Sequence, residues 1–172
     1  MKIAIGADEA GYTLKEQIKQ YLSELGVECA DYGPENGTDQ VDYPDIGFTV
    51  AAEIADGHFD RGILICGTGI GMTITADKVP GIRAALCHDT YSAERARKSN
   101  NAQVLTMGAR VIGPELAKQV VLAWIRSEFD GGNSERKVRK IMEGEARYLN
   151  GSKQPGSSTC SQTASAPPAG QQ

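Results

Sequence analysis

The fold class this sequence predicts is α/β, with a doubly wound, five-stranded parallel sheet in a single domain. Two observations carry the prediction. Short apolar runs alternate with segments of helical periodicity along the first 150 residues. The run at 62–66, Gly-Ile-Leu-Ile-Cys, is continuously apolar, as a strand covered on both faces should be.

Each element has its own signal. Residues 2–7 form an apolar run that ends at Asp8, the first strand. Leu14, Ile18, Tyr21, Leu22 and Leu25 recur at helical spacing over 12–25, and Gly26 closes that helix. Residues 27–32 read as a second strand, and 33–43 is a polar, glycine-rich loop. Pro44 suits the first turn of a helix over 44–55. The third strand, 62–66, leads through a glycine loop into a short helix ending near Lys78. A fourth strand covers 82–87. A helix over 90–99 comes next, with Glu94 and Lys98 at the supportive i, i+4 spacing. The fifth strand is 103–107. Helices over 114–127 and 134–149 complete the order, the last rich in charge. Helices should cover both sheet faces through right-handed crossovers.

Composition narrows the function. The chain has 172 residues, 40% hydrophobic and 23% charged, enough for one disulfide-free core. The net charge of −4 speaks against nucleic acid as the main partner, since phosphate backbones select basic surfaces. No apolar run approaches a membrane span of roughly 20 residues, and Met1–Ala7 runs into Asp8-Glu9 without a leader's apolar core. Cys29, Cys66, Cys87 and Cys160 contain no C-x-x-C pair, so a reduced, cytoplasmic protein is expected. Residues 151–172 are Ser, Thr, Gln, Ala, Pro and Gly apart from Lys153 and Cys160, with no Leu, Ile, Val or aromatic. They are expected to be a disordered tail, with Cys160 an incidental exposed thiol.

Ligands of such sheets bind beyond the carboxyl ends of the strands. Asp8, Cys66, His88 and the turn at 108–110 all come after strand ends, so the fold should gather them along one edge. The loop Cys66-Gly67-Thr68-Gly69-Ile70-Gly71 leads the set. Small residues there let backbone N–H groups face an anion, although a tight turn explains the glycines equally well. It is neither a phosphate-binding loop ending in Gly-Lys-Ser/Thr nor a G-x-G-x-x-G turn. Buried cysteine is usually a small hydrophobe, the default for Cys29 and Cys87. Cys66 differs because it opens this loop, where N–H donors favour a thiolate that can act as general base. Arg110 lies just after the fifth strand, and Arg136, Lys137, Arg139 and Lys140 cluster early in the last helix. Such a cluster is ordinarily a solvated face, and clamps phosphate only if the helix returns to the carboxyl edge. Asn100, Asn101 and Asp8 suit sugar hydroxyls. A base, enediolate donors and a phosphate pocket are the parts of aldose–ketose isomerisation, which calls for no metal or organic cofactor. His58 reads as a surface residue. His88, at a strand end, is either functional or structural.

Several ordered motifs then converge. The cysteine–glycine loop, Asp77-Lys78-Val79-Pro80-Gly81-Ile82-Arg83-Ala84, Asn100-Asn101 and Gly108-Ala109-Arg110-Val111-Ile112-Gly113 resemble the type B ribose-5-phosphate isomerase and galactose-6-phosphate isomerase family. Gly6-Ala7-Asp8-Glu9-Ala10-Gly11 and Tyr43-Pro44-Asp45 fit the same pattern, so that residues 1–149 are covered. The resemblance implies a Rossmann-like fold and a homodimer or tetramer whose active sites are shared between subunits. It implies Cys66 as the base for C1/C2 proton transfer on a phosphorylated sugar. Thr68 and the N–H groups of Gly67, Gly69, Ile70 and Gly71 would stabilise the enediolate. Asp8 would meet substrate hydroxyls, and Asn100 would come from the neighbouring subunit. Arg110 and Arg136, with Lys137 or Lys140, would hold phosphate.

Four positions depart from the family pattern. Glu9 and Ser99 stand where histidines are usual, the latter a histidine assigned to opening the sugar ring, and Gly131-Gly132-Asn133-Ser134 replaces Gly-Gly-Arg-His. Ribose 5-phosphate is the expected substrate by family size. D-erythrulose 4-phosphate/D-erythrose 4-phosphate is the alternative pair, because a four-carbon 4-phosphate closes no furanose ring and needs no ring-opening acid. His88 is a further candidate for the missing imidazole. A non-catalytic phosphosugar-binding protein is the alternative of another class, and Cys66 at the strand end separates the two.

Overall fold

The computed structural model describes residues 1–151, so the expected tail lies outside the described residues. The elements run β1 (Lys2–Ala7), α1 (Tyr12–Glu24), β2 (Glu28–Asp31), α2 (Tyr43–Ala55), β3 (Arg61–Cys66), α3 (Ile70–Ala76), β4 (Ala84–Leu86), α4 (Thr90–Lys98), β5 (Val104–Gly108), α5 (Pro114–Ile125) and α6 (Asn133–Leu149). The five strands form one sheet in the order β2-β1-β3-β5-β4, with every pairing parallel. The predicted α/β class and all eleven elements are present.

Side chains alternate across the sheet, as the period of two requires. Ile3, Ile5, Ile63, Ile65, Leu105 and Met107 pack against α1, α4 and α5, in a layer that includes the buried Trp124. Ala4, Leu64, Cys66 and Val104 face α2 and α3 on the other side. Cys66 therefore points into the smaller layer.

Boundaries differ from expectation where side chains compete for backbone groups. α3 ends at Ala76, short of Lys78, because Asp77 turns its carboxylate to accept the Ala84 N–H at 2.7 Å. α5 stops at Ile125. Arg61, buried at the start of β3, donates to the Trp124, Ile125 and Ser127 carbonyls at 3.0, 3.2 and 3.0 Å and so caps the helix end. β4 shrinks to three residues as Ile82 is drawn into a turn onto the Val79 carbonyl. Among the described residues no helix is long and apolar enough to cross a membrane.

The chain leaves β1 toward β2 on one side and returns to β3 on the other. That reversal opens a crevice at the carboxyl ends of β1 and β3. Asp8 directly succeeds β1 and Cys66 ends β3, so both flank it.

Candidate active site

The glycine loop folds back on the cysteine that starts it. The Gly69 N–H donates to Cys66 Sγ at 3.0 Å, and Cys66 is 4% exposed. Gly69 has a left-handed φ of +79°, and a Cβ at that position would lie 2.5 Å from Leu86 and 2.7 Å from the Met107 carbonyl carbon. Gly108 is equally constrained, since its Cβ would sit 2.7 Å from the Thr68 carbonyl. The loop therefore lies flat on the end of β5 only because both positions lack side chains. Thr68 Oγ1 accepts the Ile70 N–H at 3.3 Å, which leaves its own proton to donate. The N–H groups of Gly71 and Met72 precede the first bond of α3, which Thr73 donates to Gly69.

Charged groups line the crevice. The Asp8 N–H donates to the Ile65 carbonyl at 3.2 Å, and its Oδ1 accepts the Gly11 N–H at 2.9 Å. Partial burial raises the Asp8 carboxyl above the usual range, and the neighbouring Glu9 charge adds to this, against the Gly11 N–H and Arg110. Arg110 donates its N–H to the Gly67 carbonyl at 3.0 Å. Its guanidinium lies alongside Gly67, where a Cβ would be 3.5 Å from both Nε and Nη1. Glu9 is exposed and opens onto a cleft of about 510 Å³ shared with Gln40, Val41, Asp42 and Asp45. His88 turns inward, and its Nε2 accepts the Gly108 N–H at 2.9 Å. The proton of the neutral ring is thereby placed on Nδ1. Tyr43, which sequence reasoning leaves at the end of a loop, is the first residue of α2, and its ring covers Gly71 within 2.6 Å of a Cβ built there. The Tyr-Pro step that opens a helix was its available signal.

Asp8, Glu9, Cys66, Gly67, Thr68, Gly69, Ile70, Gly71, His88 and Arg110 thus share one edge. The other expected residues do not join them within one chain. Ser99 caps the far end of α4, and the carbonyls of Asn100 and Asn101 accept from Arg83, at the opposite edge of the sheet. α6 starts beside Lys98, where the Asp130 N–H meets its carbonyl, and later binds the Gly81 N–H through Glu145. Arg136, Lys137 and Lys140 lie between these points, all exposed, away from Cys66 of their own chain. Asn100 also lines a separate groove of about 590 Å³ beside β4, with Arg83, Leu86, Arg95 and Ile141. His58 is exposed and pairs with Glu53 at 3.0 Å.

The Ribose/Galactose Isomerase family model matches residues 3–141. The chain belongs to that family. Relatives include a D-erythrulose-4-phosphate isomerase of Pectobacterium atrosepticum, 58% identical over 82% of this chain and 93% of that one. A Ribose-5-P isomerase B of Listeria innocua is 57% identical over 83% of this chain and 96% of its own. The solved ribose-5-phosphate isomerase B of Clostridium thermocellum superposes with a TM-score of 0.84 at 47% identity, covering 86% of this chain and 99% of that one. As a member of the Ribose/Galactose Isomerase family, the chain is a sugar-phosphate isomerase with an α/β fold.

Proposed function

We propose that the protein is a cofactor-independent aldose–ketose isomerase of a small sugar phosphate, with Cys66 as the base and ribose 5-phosphate/ribulose 5-phosphate as the nominal pair. The observation that carries the reading is the Cys66 sulfur at the end of β3, held by the Gly69 N–H at 3.0 Å. In the open-chain aldose, the thiolate takes the C2 proton. The electron pair moves into a cis-enediolate whose oxygens meet the loop N–H groups and the Thr68 hydroxyl. The proton returns at C1 while the hydroxyl proton passes from O2 to O1, so one carbon is oxidised as its neighbour is reduced and no external redox partner is needed. Asp8 faces the sugar hydroxyls and Arg110 the phosphate. Replacing Cys66 with Ala should abolish turnover and leave phosphate binding intact; wild-type turnover in that variant would overturn the mechanism.

A four-carbon substrate is the second reading. It is favoured by the absence of imidazole at positions 9 and 99, and by the commitment of His88 Nε2 to the Gly108 N–H. Relatives of both activities stand at nearly equal identity to this chain. Comparing kcat/KM on ribose 5-phosphate and D-erythrulose 4-phosphate decides between them, and faster turnover of the pentose would eliminate the tetrose.

We further infer a homodimer or tetramer with shared sites. Only a second copy can bring Ser99, Asn100, Arg136, Lys137 or Lys140 to the Cys66 edge. The exposed apolar side chains Ile70, Ile74, Leu86 and Ile141 and the uncovered edge strand β4 suit such a contact. Mixing Cys66→Ala with Asn100→Ala chains should recover about a quarter of wild-type activity, because half the dimers then carry one intact site. Retention of reduced Cys29, Cys66 and Cys87 fits a cytoplasmic location.

A further inference from the structure

Thr106 is out of character for its surroundings. It is fully buried in β5, between Leu64 of β3 and Leu86 of β4, on the sheet face that Val104 turns toward α2 and α3. Valine would fill the same space with no polar atom to satisfy and with comparable strand preference. The hydroxyl instead has one partner, Thr73 Oγ1 of α3, at 2.5 Å. Thr73 Oγ1 lies in turn 2.9 Å from the Gly69 carbonyl oxygen.

Proton counting sets the direction of this chain. A carbonyl oxygen only accepts, so Thr73 donates to Gly69 and has no second proton to give. Thr106 must therefore donate to Thr73. The order is Thr106 O–H to Thr73 O–H to Gly69 C=O, ending on the residue whose N–H holds Cys66 Sγ. The Gly69 carbonyl shares its peptide plane with the Ile70 N–H, which is bonded to Thr68 Oγ1. Gly69 has no side chain of its own, and its left-handed φ of +79° is one that glycine readily leaves, so the Thr73 hydroxyl adds a second bond to a carbonyl otherwise held by the Thr73 N–H at 3.0 Å.

We propose that the Thr106–Thr73 hydroxyl pair is a positioning relay: it helps hold the Gly69–Ile70 peptide and, across the φ and ψ of Gly69, the adjoining peptide whose N–H grips Cys66. This role rests on Cys66 being the base. Neither threonine touches the reacting atoms.

The test compares Thr106→Val, which keeps shape and removes the donor, with Thr106→Ser, which keeps the donor and removes a methyl group. Thr106→Val should lower kcat about tenfold or more and leave KM within about twofold, since Thr73 loses the donor that orients its hydroxyl toward Gly69 while the binding groups are untouched. It should also change the rate of Cys66 alkylation by iodoacetamide across the pH profile relative to wild type, with the modified site located by peptide mass. Thr106→Ser should restore kcat to within about threefold of wild type. A Thr106→Val enzyme with unchanged kcat and an unchanged alkylation profile overturns the relay, as does a Thr106→Ser enzyme as impaired as the valine variant. Thr73→Val breaks the same chain and serves if Thr106→Val does not fold. The alkylation profile does not depend on turnover. An active Cys66→Ala enzyme would thus remove the base assignment, whereas the relay fails on the valine profile alone.

Discussion

Cys66 and Cys87 make an instructive pair. Each lies at the carboxyl end of a strand, at 4% and 2% exposure, and each precedes a turn into a helix. Their sulfurs nonetheless meet opposite surroundings. Cys66 Sγ accepts the Gly69 N–H at 3.0 Å. The Cys87 thiol donates toward the Ala85 carbonyl at 3.7 Å, and burial, with the Asp89 charge, pushes it up to about 12. The three residues after each cysteine make the difference. Gly67-Thr68-Gly69 folds back far enough for an N–H to reach sulfur. His88-Asp89-Thr90 does not, because Asp89 is committed to capping α4 through the Ser92 N–H at 2.7 Å. Strand-end position alone therefore does not bring an N–H to a thiol; the turn after it does.

The largest test of this contrast is on activity. Cys66→Ala should lower kcat/KM by about 10²- to 10⁴-fold, the usual range for a general base. Cys87→Ala should leave it within about twofold, as read by initial rates. Next comes the loop. Gly69→Ala meets both a left-handed φ and overlap with Leu86 and Met107. It should displace the N–H from sulfur, cutting kcat by about 100-fold and stability by about 2 kcal/mol in urea titrations. Cys66 would then resemble Cys87 in its alkylation profile.

The third test concerns Cys87 and alkali. The folded thiol keeps its proton to about 12, whereas the unfolded thiol loses it near the ordinary value of 9.0. Between these values the unfolded chain binds fewer protons, so this group lowers stability as pH rises through 9 and has no effect below it. Wild type should thus lose about 1–2 kcal/mol more than Cys87→Ala between pH 8 and 10.5, measured by denaturant midpoints at each pH. The smallest expected effect is at Asp8. Because the Glu9 charge helps raise its carboxyl, Glu9→Gln should move the acid limb of the kcat/KM profile to lower pH. A shift upward, or none, would detach Glu9 from Asp8.

Legibility in the sequence tracked the locality of the physics. Strand and helix positions were readable to within one to three residues because hydrophobic period and Gly, Pro and Asp signals act over short range. The misplaced ends included two where a side chain took backbone groups, Arg61 at the end of α5 and Asp77 at the end of α3, and the start of β4, drawn into a backbone turn at Ile82. In the site, Asp8, Cys66 and Arg110 were legible from the strand-end rule. Thr106 was not. A single polar residue in the apolar strand Val104–Gly108 was its signal, and its partner Thr73 lies 33 residues away. The placement of α6 was equally hidden, since its charged and apolar faces read the same at either edge of the sheet.

The sequence by itself determined the α/β class, the order of elements and the strand end that carries the cysteine, because propensity and periodicity are properties of neighbouring residues. Only the tertiary structure decided which cysteine receives an N–H, where His88 spends its acceptor, and which expected residues lie at the far edge from Cys66. Those depend on distances between atoms far apart in the chain, which packing alone sets.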